Sequence, residues 1–209
     1  MTAQPARRSS FVPELLGRSD YAIIGEIVGR NSRVLDLGCG EGELLQWLAE
    51  NKGVDARGVE ISGAKVQRAI ARGVSVYQGD IDEGLADYPD RAFDYIILSQ
   101  TLQETHRPRQ VLREMLRVGR RAIVAFPNFG HWRVRLSMLF GGRAPKTSLF
   151  PHEWYESPNI HFLTVHDFEE LAAIEGLKVE RRYFLSGHRK VTLLPNLTAE
   201  VAVFLVSAR

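Results

Sequence analysis

Val34-Leu-Asp-Leu-Gly-Cys-Gly-Glu-Gly42 decides the fold of this chain. The apolar run Arg33–Leu37 ends in closely spaced glycines, and Leu44, Leu45, Trp47 and Leu48 follow at helical spacing. That pattern predicts a buried strand turning sharply into a helix. Glycines at such a junction let the backbone approach a ligand, and the helix N-terminus adds free N–H donors. The same alternation continues outward. Ala56–Glu60 predicts a second strand, and Ser62 is placed to cap a helix whose inner face is Val66, Ala69 and Ile70, ended by Gly73. Val74–Tyr77 and Phe93–Leu98 predict the third and fourth strands. Pro108 suits the first turn of a helix carrying Val111, Leu112, Met115 and Leu116, and Ala122–Phe126 predicts a fifth strand. Continuous apolar strands separated by helices mean a parallel sheet covered on both faces, a three-layer Rossmann-like α/β architecture.

Upstream, Ile24, Ile27 and Val28 predict a short helix stopped at Gly29 and Asn31, preceded by a flexible arm over residues 1–19. Downstream, the alternation breaks at Pro127. Residues 127–160 form an excursion rich in glycine and aromatics (Trp132, Phe140, Phe150, Trp154, Tyr155), with one short helix expected over Val134–Phe140. Thr164-Val-His-Asp167 reads as a capping box before a helix buried through Phe168, Leu171 and Ala172. Lys178–Leu185 and Val201–Val206 read as an antiparallel pair at the sheet edge, joined by a loop without a helical pattern. Residues 20–209 are therefore expected to form a single domain.

The 209 residues are 44% hydrophobic and 25% charged, too apolar for a disordered chain. One cysteine, Cys39, excludes an internal disulfide framework and a zinc ribbon. A net charge of +2 argues against a nucleic-acid module. No apolar run approaches the roughly 20 residues that span a bilayer, and the N-terminus lacks the apolar stretch of a secretory signal. The expectation is a cytoplasmic protein with neither a nucleic-acid nor a membrane partner. The six histidines form no compact ligand motif, so no metal site is expected.

Three acids narrow the ligand. Asp36 sits at the end of the first strand, where a pyrophosphate would be repelled and a cationic group welcomed. Glu60 ends the second strand, the place from which a carboxylate accepts bonds from both ribose hydroxyls. Asp80, in Gln78-Gly-Asp-Ile81, is placed to take an adenine amino group. Glu43 stands where the dinucleotide fingerprint wants its third glycine, which disfavours a nicotinamide dehydrogenase. The combination suits an adenosine carrying a positive centre, namely S-adenosylmethionine or S-adenosylhomocysteine. The candidate binding residues are Asp36, Gly38, Cys39, Gly40, Gly42, Glu60, Ile61, Asp80, Ile81 and Ser99. The alternative is an ordinary tight βα turn with surface acids.

The glycine loop, Gly58-Val-Glu60 and Gly79-Asp80 together resemble the class I S-adenosylmethionine-dependent methyltransferases over about residues 30–126. The resemblance implies a seven-stranded, mostly parallel sheet with its last strand antiparallel. Outside the cofactor motif, Leu98-Ser-Gln-Thr-Leu-Gln103, Phe126-Pro-Asn-Phe-Gly-His-Trp132 and Pro158-Asn-Ile-His-Phe-Leu-Thr164 are similar to the methionine biosynthesis protein MetW family. That likeness covers nearly the whole chain after about Ser10. It implies a role beside homoserine O-acyltransferase, activating or regulating homoserine acylation. Sensing the pathway's end product through the cofactor would be a natural logic for such a role.

The other reading is a methyltransferase acting on a small molecule. Methyl transfer from a sulfonium needs little beyond in-line positioning and sometimes a base, so the catalytic residues are left unknown. Many amino-methylating relatives carry an Asn/Asp-Pro-Pro-Tyr/Phe motif after the fourth strand. Here that position reads Ser99-Gln-Thr-Leu102, against N-methylation by that route. His131 is a candidate base, and Tyr155 and His161 are candidate pocket residues, each with a packing role as the alternative. Cys39 reads as a small spacer rather than a nucleophile. The basic excursion, with Arg133, Arg135, Arg143 and Lys146, is a candidate protein interface or a cover for the cofactor pocket.

Overall fold

The computed structural model describes residues 18–147 and 150–209. Eight strands form one sheet in the order β3-β2-β1-β4-β5-β8-β6-β7. Strands β1 (Arg33–Leu37), β2 (Asp55–Glu60), β3 (Ser75–Gln78), β4 (Phe93–Ser99) and β5 (Gly119–Pro127) pair in parallel. β8 (Val201–Ala208) runs antiparallel to both β5 and β6 (Leu177–Ser186). The expected C-terminal antiparallel pair is present, with the last strand slotted inside the sheet between β5 and β6. The edge is held by an eighth strand, the two-residue β7 (Arg189–Lys190), and the connection to β8 contains a short helix, α7 (Pro195–Thr198). Two residues carry too little periodicity to mark a strand, and four too little to mark a helix.

The central parallel strands β1, β4 and β5 are buried on both sides because both are covered. On one side Leu35, Leu37, Ile96 and Leu98 pack against α4 (Pro108–Val118) and α6 (Val165–Ile174) through Val111, Met115 and Phe168. On the other, Val34, Ile97 and Ile123 pack against α1 (Ser19–Ile27) and α2 (Glu43–Lys52) through Ile24, Leu44 and Leu48. Residues 1–17 of the expected arm lie outside the described residues, and Ser19 already opens α1.

Local signals hold with two corrections. The capping box is complete: the Thr164 hydroxyl accepts from Asp167 N at 3.3 Å and the Asp167 carboxylate from Thr164 N at 2.8 Å. Pro108 opens α4. Ser62 precedes α3 (Gly63–Ala71) but makes no side-chain capping bond. Its own N–H donates instead to Glu60. Ile70, expected on the inner face of α3, is 56% exposed, since only Val66 and Ala69 are buried there.

The excursion leaves β5 through Asn128, a fully buried knot. Its amide donates to the carbonyls of Asn196 (3.1 Å) and Ala199 (2.8 Å). Its Oδ1 accepts from Gly130 N (3.0 Å) and Val165 N (3.3 Å), so all four hydrogen-bonding positions are filled. Beyond it lies the one expected helix, α5 (Trp132–Gly141).

Candidate functional site

The C-terminal ends of β1, β2, β3 and β4 open onto a cavity of about 600 Å³. The glycine turn forms its floor and is clamped to β2, with Gly38 N and Cys39 N both donating to the Val59 carbonyl, at 2.8 and 3.1 Å. Gly38 has φ +74°, and a Cβ there would stand 2.7 Å from Thr101 Oγ1. Gly40 also has a positive φ, but a Cβ would meet nothing within 4 Å. Its missing side chain leaves a vacant volume beside the turn, the shape a close-lying ligand requires.

Glu60 holds that turn open. It is 5% exposed, with Oε2 accepting from Gly40 N and Oε1 from Ser62 N, each at 2.9 Å. Each oxygen keeps a second acceptor position. Asp80 begins the 3-10 turn Ile81–Glu83, its Oδ1 accepting from Asp82 N at 2.8 Å. Asp82 ties this wall to the opposite one, because its carboxylate takes His106 N and Arg107 N, both at 2.8 Å.

Beneath the cavity is a charge cluster that the sequence did not announce. Ser99 Oγ donates to the Asp20 carboxylate of α1 and accepts from Arg18 at 2.8 Å. Arg18 pairs with Asp20 at 2.6 Å and lies 4.3 Å from the centre of the Tyr21 ring. Asp36 is 3% exposed and its Oδ1 has no hydrogen-bond partner. Burial pushes its carboxyl up to about 8; Arg18 opposes the shift, and Asp20 and Glu60 add to it. Arg18 pairs with Asp20 and acts on Asp36 through space, while Glu60 is held by backbone N–H groups and Lys65 also lines the cavity. Asp36 is left without a direct cationic partner, a place where positive charge is favoured.

Eight of the ten sequence-selected residues line the cavity: Gly38, Cys39, Gly40, Glu60, Ile61, Asp80, Ile81 and Ser99. Asp36 lies beneath them, buried. Gly42 is not a lining residue. It is the N-cap of α2 with φ +77°, and a Cβ would touch Ala69 of α3 at 3.0 Å, so its role is packing. Cys39 packs its sulfur against the face of Gly58, where a Cβ would come within 2.4 Å, and burial pushes its thiol up, away from thiolate reactivity. His131, Tyr155 and His161 do not line the cavity. His131 caps α5, its Nδ1 accepting from Arg133 N at 3.3 Å, and burial lowers its pKa.

Sequence reasoning missed Arg18, Tyr21, Gln100 and Glu104 among the lining residues. A signal did exist for Asp20, which lies on the apolar face of α1 with Ile24 and Ile27, where a carboxylate needs a partner. Gln100 adopts φ +58° without being glycine, which no sequence pattern marked.

The sequence profile described as "Methionine biosynthesis protein MetW" matches residues 18–206. The chain belongs to the MetW family. Over 197 residues it is 34% identical to the "Bifunctional methionine biosynthesis protein MetXA/MetW" of Rhodopirellula baltica, covering 88% of this chain and 32% of that protein. The chain spans about a third of the length of the curated relatives it matches, 32–36%. Among solved structures, a TehB-like SAM-dependent methyltransferase from Corynebacterium glutamicum superposes with a TM-score of 0.63 at 17% identity, covering 94% of this chain and 92% of that one. The [4+2]-cyclase SpnF gives 0.64 at 18%, covering 90% and 80%. These likenesses show that this MetW-family chain has the Rossmann-like methyltransferase fold. That fold carries a cyclase as well as methyltransferases, so function has to be argued from the site.

Proposed function

We propose that this MetW-family chain binds S-adenosylmethionine or S-adenosylhomocysteine in the strand-end cavity and acts in methionine biosynthesis beside homoserine O-acyltransferase. The observation that carries the ligand reading is the pairing of a vacant volume at Gly40 with the buried Asp36 carboxyl, whose Oδ1 has no partner, and the buried Glu60 carboxylate beside it. In this reading Glu60 holds the ribose hydroxyls on its two remaining acceptor positions while its other lone pairs keep the turn in shape. The Asp80 carboxylate receives the adenine amino group. Asp36, whose Oδ1 lacks a partner, ionises beside the ligand's cationic end. S-adenosylmethionine held there would supply a sulfonium-activated methyl group, or would report the level of the pathway's end product.

The partner reading is supported by the R. baltica relative, whose name joins MetXA and MetW in one chain. Titration calorimetry with S-adenosylhomocysteine tests the first half, and absence of binding would overturn it. Co-purification with the acyltransferase, assayed with and without this chain, tests the second. Methyl release on a metabolite extract, with no effect on acyl transfer, would favour an independent methyltransferase instead.

A further inference from the structure

α5 buries one residue, Val134, against the body of the protein. Trp132, Leu136, Leu139 and Phe140 stand at i, i+4, i+7 and i+8, one stripe of a 3.6-residue helix on the side away from Val134. They are 43, 41, 73 and 81% exposed. From the size of those side chains, the stripe presents on the order of 500 Å² of apolar surface, at the upper end of what a monomer leaves bare. Beyond α5 the chain turns at Gly142 into Arg143–Lys146, which forms one side of a groove of about 620 Å³ containing Trp154 and Phe162. Stripe and groove are adjacent along the chain. The stripe alone is more than half of the roughly 800 Å² per partner that a stable interface needs.

A helix that is apolar on two opposite sides is covered on both in a stable assembly, and ten residues are too few to be stable alone in water. The charges say what covers it. Arg133 and Arg135 flank the stripe on either side, and Arg143 follows it. There is no acidic residue between Glu114 and Glu153. Arg135 is held by the Gly130 carbonyl at 2.6 Å, Arg133 lies 3.7 Å from Glu200, and Arg143 makes no ion pair among the described residues. A second copy seated on the same face would set arginine against arginine.

We propose that the outward stripe of α5, continued into the adjoining groove, is the docking surface for the acyltransferase, which meets it with an apolar patch rimmed by carboxylates. This inference rests on the partnership proposed above. Leu139 and Phe140 supply the apolar centre of the contact and the arginines its polar rim.

The test is binding of the full-length chain to the homoserine O-acyltransferase of the same organism, by calorimetry and co-elution. The variants are Leu139→Asp, Phe140→Asp and Arg143→Glu, with Ile174→Asp as a control at an exposed apolar site on another helix. The expected result is at least a tenfold loss of affinity for each aspartate variant, a smaller and salt-sensitive loss for Arg143→Glu, and no change for Ile174→Asp. Unchanged melting temperature and S-adenosylhomocysteine binding would show that the variants are folded. If the native chain binds and both aspartate variants bind within twofold of it, the surface is wrong while the partnership stands. If the native chain does not bind, both fall. A homodimer dissolved by Phe140→Asp would overturn the proposal in favour of a second copy.

Discussion

Replacing Glu60 separates the two duties assigned to its carboxylate. In the free protein it accepts two backbone N–H bonds, from Gly40 and Ser62, at 2.9 Å each and with the residue almost wholly buried. Bonds of this kind to a charged acceptor contribute about 1.5–3 kcal/mol each, and water reaching the Gly40 N–H through the open cavity recovers part of that. Glu60→Ala should therefore cost about 2–3 kcal/mol of stability, a fall in Tm of roughly 4–12 °C for a chain of this size. Glu60→Gln keeps one acceptor oxygen but sets an amide donor against the other N–H, so it should cost about as much as the alanine variant. Ligand affinity makes a second demand. If the remaining lone pairs hold two ribose hydroxyls, S-adenosylhomocysteine binding should weaken by about 1–3 kcal/mol, roughly 5- to 150-fold, in Glu60→Ala. Thermal melts without ligand and calorimetry well below Tm measure the two effects independently. A lowered Tm with affinity within twofold of the native chain would refute the ribose assignment and leave the structural role standing. An unchanged Tm would refute the description of the turn.

Asp36 should make stability fall as pH rises. Its folded pKa of about 8 lies far above the usual carboxylate value, so between about pH 4 and 8 the native state holds a proton that the unfolded state has lost. Stability then declines across that window by up to about 1.4 kcal/mol per pH unit, and urea titrations of Asp36→Asn should show this slope removed. Gly38→Ala should destabilise by about 1–3 kcal/mol in chemical denaturation, since it combines a left-handed backbone with a Cβ 2.7 Å from Thr101 Oγ1. Asn128→Ala leaves two buried carbonyls and two N–H groups without their partner. A loss of at least about 3 kcal/mol is expected, and hydrogen exchange should show the Pro127–Trp132 segment opening first.

The central parallel strands β1, β4 and β5 were legible because each is buried over most of its length and reads as a mainly apolar run, whereas the edge strand β3 is largely exposed and was placed by the alternation around it. Arg33–Leu37 matches β1 at both ends. Glu60 and Asp80 were legible for a related reason. Parallel topology delivers every strand end to the same edge of the sheet, so acids that close successive strands must meet. What stayed hidden depends on contacts distant in sequence. The pairing of Arg18 with Ser99 spans 81 positions, and neither residue shows the other in its neighbourhood. Ile70 was misassigned because α3 covers one end of the sheet, where only a narrow stripe of a helix is shielded. The slotting of β8 between β5 and β6 was open to the residues alone, since an antiparallel pair at an edge and one that inserts have the same local pattern.

The cavity wall and the segment that begins with α5 are tied together at Gln103. Gln103 lies in the turn after β4, between Gln100 and Glu104, both of which line the cavity. Its carbonyl accepts from Ile160 N at 2.8 Å and His161 N at 3.0 Å, the far end of the segment that begins with α5. Its amide donates to the Gln100 carbonyl at 2.8 Å, while Oε1 is buried with no partner. Coupling between two sites requires an element with two arrangements that both sites bias. The turn around Gln103 is hydrogen-bonded to the cavity-lining Gln100 on one side and to Ile160 and His161 on the other. Burial raises the carboxyl pKa of Glu104, the neighbour of Gln103 on the cavity wall, and Lys65 opposes that shift.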